Sequence, residues 1–213
     1  MLGDDASGVG SCHVGMRRNP ERARAMIQDV FHWTPRQFRK ALDAGFFGEN
    51  RVELLGGVPF IIGENPPHIV ACACVQAAFL VLAPPPRWFV NKEHRLALGT
   101  WRPLADVIIL RGSRYAYTTR LACGGDVALL VEVADTSYAR DSGPKLRRYA
   151  TSCIPVYWIV DLNRRLVEVR TRPFGKGKNA GYARCDIYQQ DDSVPVELDG
   201  QEVGRVAVAD LLP

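Results

Sequence analysis

Asp106-Val-Ile-Ile-Leu110, Val127-Ala-Leu-Leu-Val-Glu132-Val-Ala-Asp135 and Asp141-Ser-Gly-Pro-Lys145-Leu-Arg-Arg-Tyr149 follow one another in the middle of the chain. The first two are apolar runs of strand-forming residues, each carrying one carboxylate, and the third is a basic segment of helical character. Val131 and Val133 flank Glu132, so a strand here buries a charge, which is costly unless a cation meets it. A lysine, a metal ion, or both would meet that need. The run 107–110 reads as buried on both faces and therefore interior to a sheet. Over 127–134 a period of two puts Ala128, Leu130, Glu132 and Ala134 on one face. Asp141, Lys145 and Tyr149, spaced four apart, share one helix face. Pro144 suits the first turn of that helix and sets Lys145 near its N-terminus.

Downstream, Ile154-Pro-Val-Tyr-Trp158-Ile-Val-Asp161 is a strand of strong β formers. Asp161-Leu-Asn163-Arg turns it back into Leu166-Val-Glu-Val-Arg170. The loop Gly175-Lys-Gly-Lys178-Asn leads to a strand over 182–189, and shorter strands over 194–198 and 205–208 end the chain. Upstream, 88–98 reads as a strand. A helix runs from Pro67 to about Leu82, stopped by Pro84-Pro85-Pro86, with His68 in its first turn; it could reach an active site, but a capping or solvent-facing histidine is the commoner case. Arg51-Val-Glu53-Leu-Leu-Gly56-Gly57-Val-Pro-Phe-Ile-Ile62 reads as a hairpin with a tight Gly-Gly turn, and Glu53 as a surface residue on a half-buried strand. Thr34-Pro35-Arg36-Gln37 is a capping-box helix start, with Phe38, Ala41 and Leu42 on one face and Gly45 as the stop. These elements predict an α/β (α+β) domain, a mixed and mostly antiparallel sheet flanked by helices.

With 213 residues, 47% hydrophobic, and no internal repeat, the chain can bury one substantial core. Residues 1–25, small, polar and arginine-bearing, read as a disordered leader rather than the alternative, a basic arm that touches nucleic acid, and 26–213 as a single domain. Residues 140–178 hold ten Lys or Arg against three acids, a net of +7, which leaves the rest of the chain at −3. A basic half beside buried acids suits a phosphate-bearing ligand, although such runs are also ordinary solvated surface. The six cysteines form no CxxC pair and read as reduced thiols of a cytoplasmic protein. No stretch reaches the roughly 20 apolar residues of a membrane helix, and the first residues lack a signal peptide's basic and apolar regions. A soluble protein is the expectation.

Asp106, Glu132 and Lys145 are the constellation with chemistry in it. Two acids on neighbouring interior strands suit a hard divalent cation through oxygen ligands. Such a cation activates water and neutralises a phosphate, and a nearby lysine orients the nucleophile. Spacing alone leaves this open against a salt-bridged network that only holds the fold together.

The order of Arg51-Val-Glu53-Leu-Leu-Gly-Gly, a helix opened by His68, an Asp-Val-Ile strand, Leu-Leu-Val-Glu132-Val-Ala-Asp-Thr-Ser, Asp141 with Lys145 and Tyr149, and Ile154-Pro-Val-Tyr-Trp158-Ile-Val-Asp161 resembles the Uma-two family of restriction endonucleases. That family is a branch of the PD-(D/E)xK nuclease superfamily, and the resemblance covers about residues 33–213. It implies a restriction endonuclease-like fold and a magnesium-dependent endonuclease, with manganese as a substitute, that hydrolyses phosphodiester bonds in DNA. Asp106 and Glu132 would bind the metal, Lys145 would assist water attack, and Glu53 would be a supporting acid. The superfamily places its lysine two residues after the glutamate, where this chain has Ala134; the family supplies it from the following helix, as Lys145 does. Ala105 replaces the family's usual proline before the aspartate. Asp141 reads either as a partner holding Lys145 or as an exposed acid at a helix N-terminus. Arg140, Arg147, Arg148, Lys176 and Lys178 would take backbone phosphates, and the resemblance also implies a homodimer. The alternative is a catalytically inactive nucleic-acid-binding or protein-interaction module on the same fold.

Overall fold

Hydrophobic runs that alternate between two apolar faces force a strand to be covered on both sides, and this dictates the architecture. The structure is a computed structural model that describes residues 30–63 and 65–213. The leader expected over 1–25 lies outside the described residues. Residues 32–213 form one unit.

Its centre is a six-stranded sheet in the order β3-β4-β5-β6-β7-β8. The strands are β3 (Trp88–Arg95), β4 (Leu104–Arg111), β5 (Val127–Ala134), β6 (Val156–Asp161), β7 (Leu166–Phe174) and β8 (Gly181–Gln189). Every neighbouring pair is antiparallel except β5 and β6. A parallel pair needs a crossover, and the helical stretch 138–151 supplies it. Ahead of the sheet stand helix α1 (Pro35–Asp43), the hairpin β1 (Arg51–Leu55) and β2 (Val58–Ile62), and helix α2 (Pro66–Leu82). After it comes the hairpin β9 (Ser193–Leu198) and β10 (Gln201–Ala207). The expected mixed, mostly antiparallel α+β class is what the chain adopts.

Local signals account for the element ends. Thr34 caps α1 in a full capping box with Gln37, and Gly45 follows with φ +67°. Gly56 and Gly57 turn the first hairpin at φ +61° and +90°; a Cβ on Gly57 would also lie 2.9 Å from the His32 ring.

Val107, Ile109, Leu129, Val131, Val133 and Trp158 face one core with Ala71, Val75 and Phe79 of α2 and Val194 and Val196 of β9. Trp158 meets Phe79 edge to face at 5.4 Å. Ile108, Leu110, Leu130, Tyr157 and Ile159 face the other core with Leu146 and Tyr149 of the crossover. Asp106 and Glu132 continue this second face toward its open end. Ala128 departs from the expected face, packing with the first core rather than with Leu130. The cause is a register shift between Ile109↔Leu129 and Leu110↔Val127, which leaves Ala128 as an extra residue in a bulge.

Glu168 on β7 is 2% exposed and is held by Tyr138 Oη at 2.7 Å, Arg164 at 2.5 Å and Arg170 at 2.6 Å. Burial would raise its pKa, but these three donors bring it below the usual glutamate value. Glu168→Ala is therefore expected to destabilise the fold by about 2–4 kcal/mol, since Arg170 and the Tyr138 phenol lose their acceptor and Arg164 keeps only Asp161; urea unfolding measures this. In the wild type this contribution is present above the unfolded glutamate pKa and is lost as pH falls through the lower folded value.

Among the described residues no helix is long and apolar enough to cross a membrane.

Candidate active site

The parallel step from β5 to β6 places the helical crossover over the second face of the sheet, and its inward side chains meet the strand carboxylates there. The crossover begins earlier than Pro144 suggests. It consists of an α-turn (Tyr138–Arg140), a π-helical turn (Asp141–Lys145) and helix α3 (Leu146–Thr151). Pro144 sits inside the run, not in its first turn. A π turn holds one residue more than an α turn, which accommodates the missing N–H and the bulk of the proline ring. Pro144 stays exposed while Asp141 and Lys145 both turn inward. Tyr157 Oη donates to the Asp141 carbonyl at 3.1 Å.

Lys145 is the hub. Its Nζ lies 3.0 Å from Glu53 Oε1, 3.0 Å from Glu132 Oε1 and 3.7 Å from Asp141 Oδ1. Tyr149 Oη, one turn further along the crossover, donates to the same Glu132 oxygen. Glu53, read from its strand alone as a surface residue and from the resemblance as a supporting acid, is fully buried, because β1 packs across the end of β4 and Glu53 Oε1 accepts the Leu104 N–H at 2.7 Å. Asp141, for which an exposed helix-terminal position was one reading, is 1% exposed and takes the Ser137 hydroxyl on Oδ2. Asp106 Oδ2 accepts the Val133 N–H at 2.8 Å and lies 3.2 Å from His68 Nε2.

For His68 a capping or solvent-facing place was the favoured reading and an active-site place the other. Instead Asn65 caps α2, accepting the His68 N–H at 3.1 Å, and this aims the imidazole at Asp106. Asn65 also donates to Asp135 Oδ2, tying the start of α2 to the end of β5. The Asn65-Pro66-Pro67 start was the sequence signal: it fixes the first helical turn, and hence the direction of the histidine.

Four carboxylates around one ammonium, all withdrawn from water, repel one another. Burial drives the Glu132 carboxyl well above the ordinary glutamate range; Lys145 opposes this, and Asp106, Asp141 and Glu53 reinforce it. Burial likewise raises Asp141. For Lys145 burial favours the neutral amine, but the four acids overcome it and hold the ammonium well above an ordinary lysine pKa. Asp106 goes the other way, since its hydrogen bond to His68, the charges of His68 and Lys145, and the Val133 N–H outweigh burial. The cluster thus retains the lysine proton and favours an additional proton on Glu132.

Glu53, Asp106, Glu132, Asp141 and Lys145 line one cavity of about 390 Å³, with His68 beside them and Arg140 at the same cavity. Within it, Glu53 Oε2 and Asp141 Oδ1 are buried without a hydrogen-bond partner. Of the basic residues expected to meet phosphates, only Arg140 joins this cavity. Arg147, Arg148 and Lys178 line a separate groove of about 270 Å³ with Trp101, over whose ring Arg148 lies at 5.0 Å. Lys176 is exposed on the loop next to that groove.

Comparison with known proteins shows the family and the fold. The model of the Uma2 family, described as "Putative restriction endonuclease", matches residues 36–208. A crystal structure described as a putative nuclease belonging to DUF820, from Anabaena variabilis ATCC 29413, aligns with a TM-score of 0.58 at 12% identity, over 76% of this chain and 90% of that one. At that identity the likeness is one of fold. No curated protein matches the chain.

Proposed function

The chain belongs to the Uma2 family of restriction endonuclease-like proteins, and from that premise we propose that it is a divalent-metal-dependent nuclease hydrolysing phosphodiester bonds in DNA. The observation that carries this reading is the crowding of four buried carboxylates around Lys145 in an open cavity, with Glu53 Oε2 and Asp141 Oδ1 accepting no hydrogen bond. Carboxylates outnumber cations, and two buried oxygens accept no hydrogen bond. Both conditions fit a hard, oxygen-ligated dication such as Mg²⁺, with Mn²⁺ as a substitute.

Asp106 and Glu132 would hold the ion, with Glu53 behind them. When bound, it would supply Lewis-acid stabilisation of the phosphate and a more acidic water. The chain's own groups do the rest. Tyr149 and Lys145 fix the orientation of Glu132, and His68 and the Val133 N–H fix that of Asp106. Lys145, kept as an ammonium, serves as a donor that orients the attacking water and offsets charge developing on the phosphate; it is not a general base. Arg140 would receive a neighbouring phosphate.

Relaxation of supercoiled plasmid in Mg²⁺, and none in EDTA, is the expected result; plasmid left intact across Mg²⁺ and Mn²⁺ would remove the proposal. A pH dependence follows from the raised Glu132 carboxyl. Its proton must leave before a cation binds, so Mg²⁺ affinity should rise as pH rises from acid to neutral. Calorimetric titration at several pH values measures this, and a flat profile would contradict the assignment of Glu132 as a ligand.

A further inference from the structure

Beside the all-oxygen cluster lies a donor set of different chemistry. His68 and Cys72 stand four residues apart on α2, so both project from one face of the helix toward β4. Cys72 is 4% exposed and His68 is 12% exposed in its side chain. Cys72 belongs to the first core by its packing, yet its Sγ lies 3.7 Å from His68 Nδ1 and 3.9 Å from Nε2. His68 Nε2 in turn lies 3.2 Å from Asp106 Oδ2. One imidazole nitrogen, one thiol sulfur and one carboxylate oxygen converge within 4.8 Å of one another.

We infer that His68, Cys72 and Asp106 form a binding position for a borderline transition-metal ion of the Zn²⁺ or Co²⁺ class, adjacent to the Mg²⁺ position and sharing Asp106 with it. The separations suit the ion. Tetrahedral zinc, with bonds of about 2.0–2.1 Å to nitrogen, 2.0–2.2 Å to oxygen and 2.3 Å to sulfur, sets nitrogen and sulfur about 3.6 Å apart and nitrogen and oxygen about 3.4 Å apart. The observed 3.9 and 3.2 Å lie within about 0.3 Å of these separations, and the sulfur and the carboxylate oxygen lie within 4.8 Å of each other. A thiolate with an imidazole selects against Mg²⁺ and for Zn²⁺ or Co²⁺, whereas the Glu53, Glu132 and Asp141 side does the reverse. On binding, the thiol proton and the His68 Nε2 proton that Asp106 accepts both leave to solvent, and His68 coordinates through Nε2 with a ring proton on Nδ1. Three protein ligands leave a fourth position for water or a phosphate oxygen, and His68 and Asp106 both border the cavity through which an ion would enter.

The inference rests on the proposed cation site only through the shared Asp106. Metal-free full-length protein, titrated anaerobically with Co²⁺, should develop the visible bands of a four-coordinate ion together with a near-ultraviolet sulfur-to-cobalt charge-transfer band. Zn²⁺ added afterwards should bleach both. Cys72→Ser should lose the charge-transfer band and bind Co²⁺ at least about tenfold more weakly, while His68→Gln should lose the four-coordinate visible spectrum. Zinc-edge X-ray absorption of the wild type needs no variant to fold, and should find a single sulfur scatterer at about 2.3 Å among nitrogen and oxygen neighbours. A wild type without the charge-transfer band, a band unchanged in Cys72→Ser, or a zinc shell with no sulfur overturns the inference. Plasmid nicking by the wild type in Mg²⁺ is scored separately. Nicking without a sulfur ligand removes this site and keeps the nuclease; a sulfur ligand without nicking does the opposite.

Discussion

Lys145→Met should lower stability by about 3–5 kcal/mol, the usual cost of removing one partner from a buried charge network, and should abolish plasmid nicking. The size follows from what remains behind. Lys145 has a side chain 4% exposed and reaches Glu53 and Glu132 at 3.0 Å and Asp141 at 3.7 Å. Methionine fills most of the same volume but leaves Glu53, Glu132 and Asp141 facing each other with no ammonium. Protonation of Glu132 and Asp141 relieves part of the repulsion, so the loss should be larger at neutral than at acid pH. Denaturant unfolding at two pH values measures both the size and the sign. Mg²⁺ should recover part of the lost stability, because the ion replaces some of the missing positive charge.

Glu132→Gln should act in the opposite direction on the metal-free fold. Glutamine keeps a carbonyl oxygen for the Lys145 and Tyr149 donors and removes one charge from an over-acidic cluster. The metal-free protein should therefore be as stable as wild type or up to about 1–2 kcal/mol more stable. The stabilisation that saturating Mg²⁺ gives wild type, about 2.7 kcal/mol at a concentration 100 times Kd, should disappear. A purely structural ion network predicts the reverse: Glu132→Gln would destabilise, and Mg²⁺ would be without effect on either protein. Thermal unfolding of both proteins with and without Mg²⁺ separates the two accounts.

The residues that carry the fold are local in sequence, which is why the fold was legible. Thr34 with Gln37, the Gly56-Gly57 turn, and the apolar runs over 107–110 and 127–134 each specify their own element. Asp106, Glu132 and Lys145 were legible because a charge inside an apolar run needs a partner, and the structure brings these three together with Glu53. Burial of Glu53 was not legible. It depends on the β1–β2 hairpin packing across the end of β4, a long-range contact that a five-residue strand does not encode. Asp141 and Pro144 misled for a related reason. An acid followed by a proline three residues later resembles a helix start, whereas the helix had already begun at Tyr138 and absorbs the proline in a π turn. Ala128 followed the period of two until a bulge broke it. The direction of His68 depended on the Asn65 cap, whose meaning becomes clear only once Asp135 is seen beside it.

The most direct measurement is nicking of supercoiled plasmid by wild type and Glu132→Gln, each in Mg²⁺ and in EDTA, on samples shown to be folded. The account predicts nicking by wild type in Mg²⁺ alone, and a loss of about 10²–10³-fold or more in Glu132→Gln despite its undiminished stability. Equal nicking by the two proteins, or nicking by wild type that survives EDTA, would contradict a metal-dependent site built on Glu132.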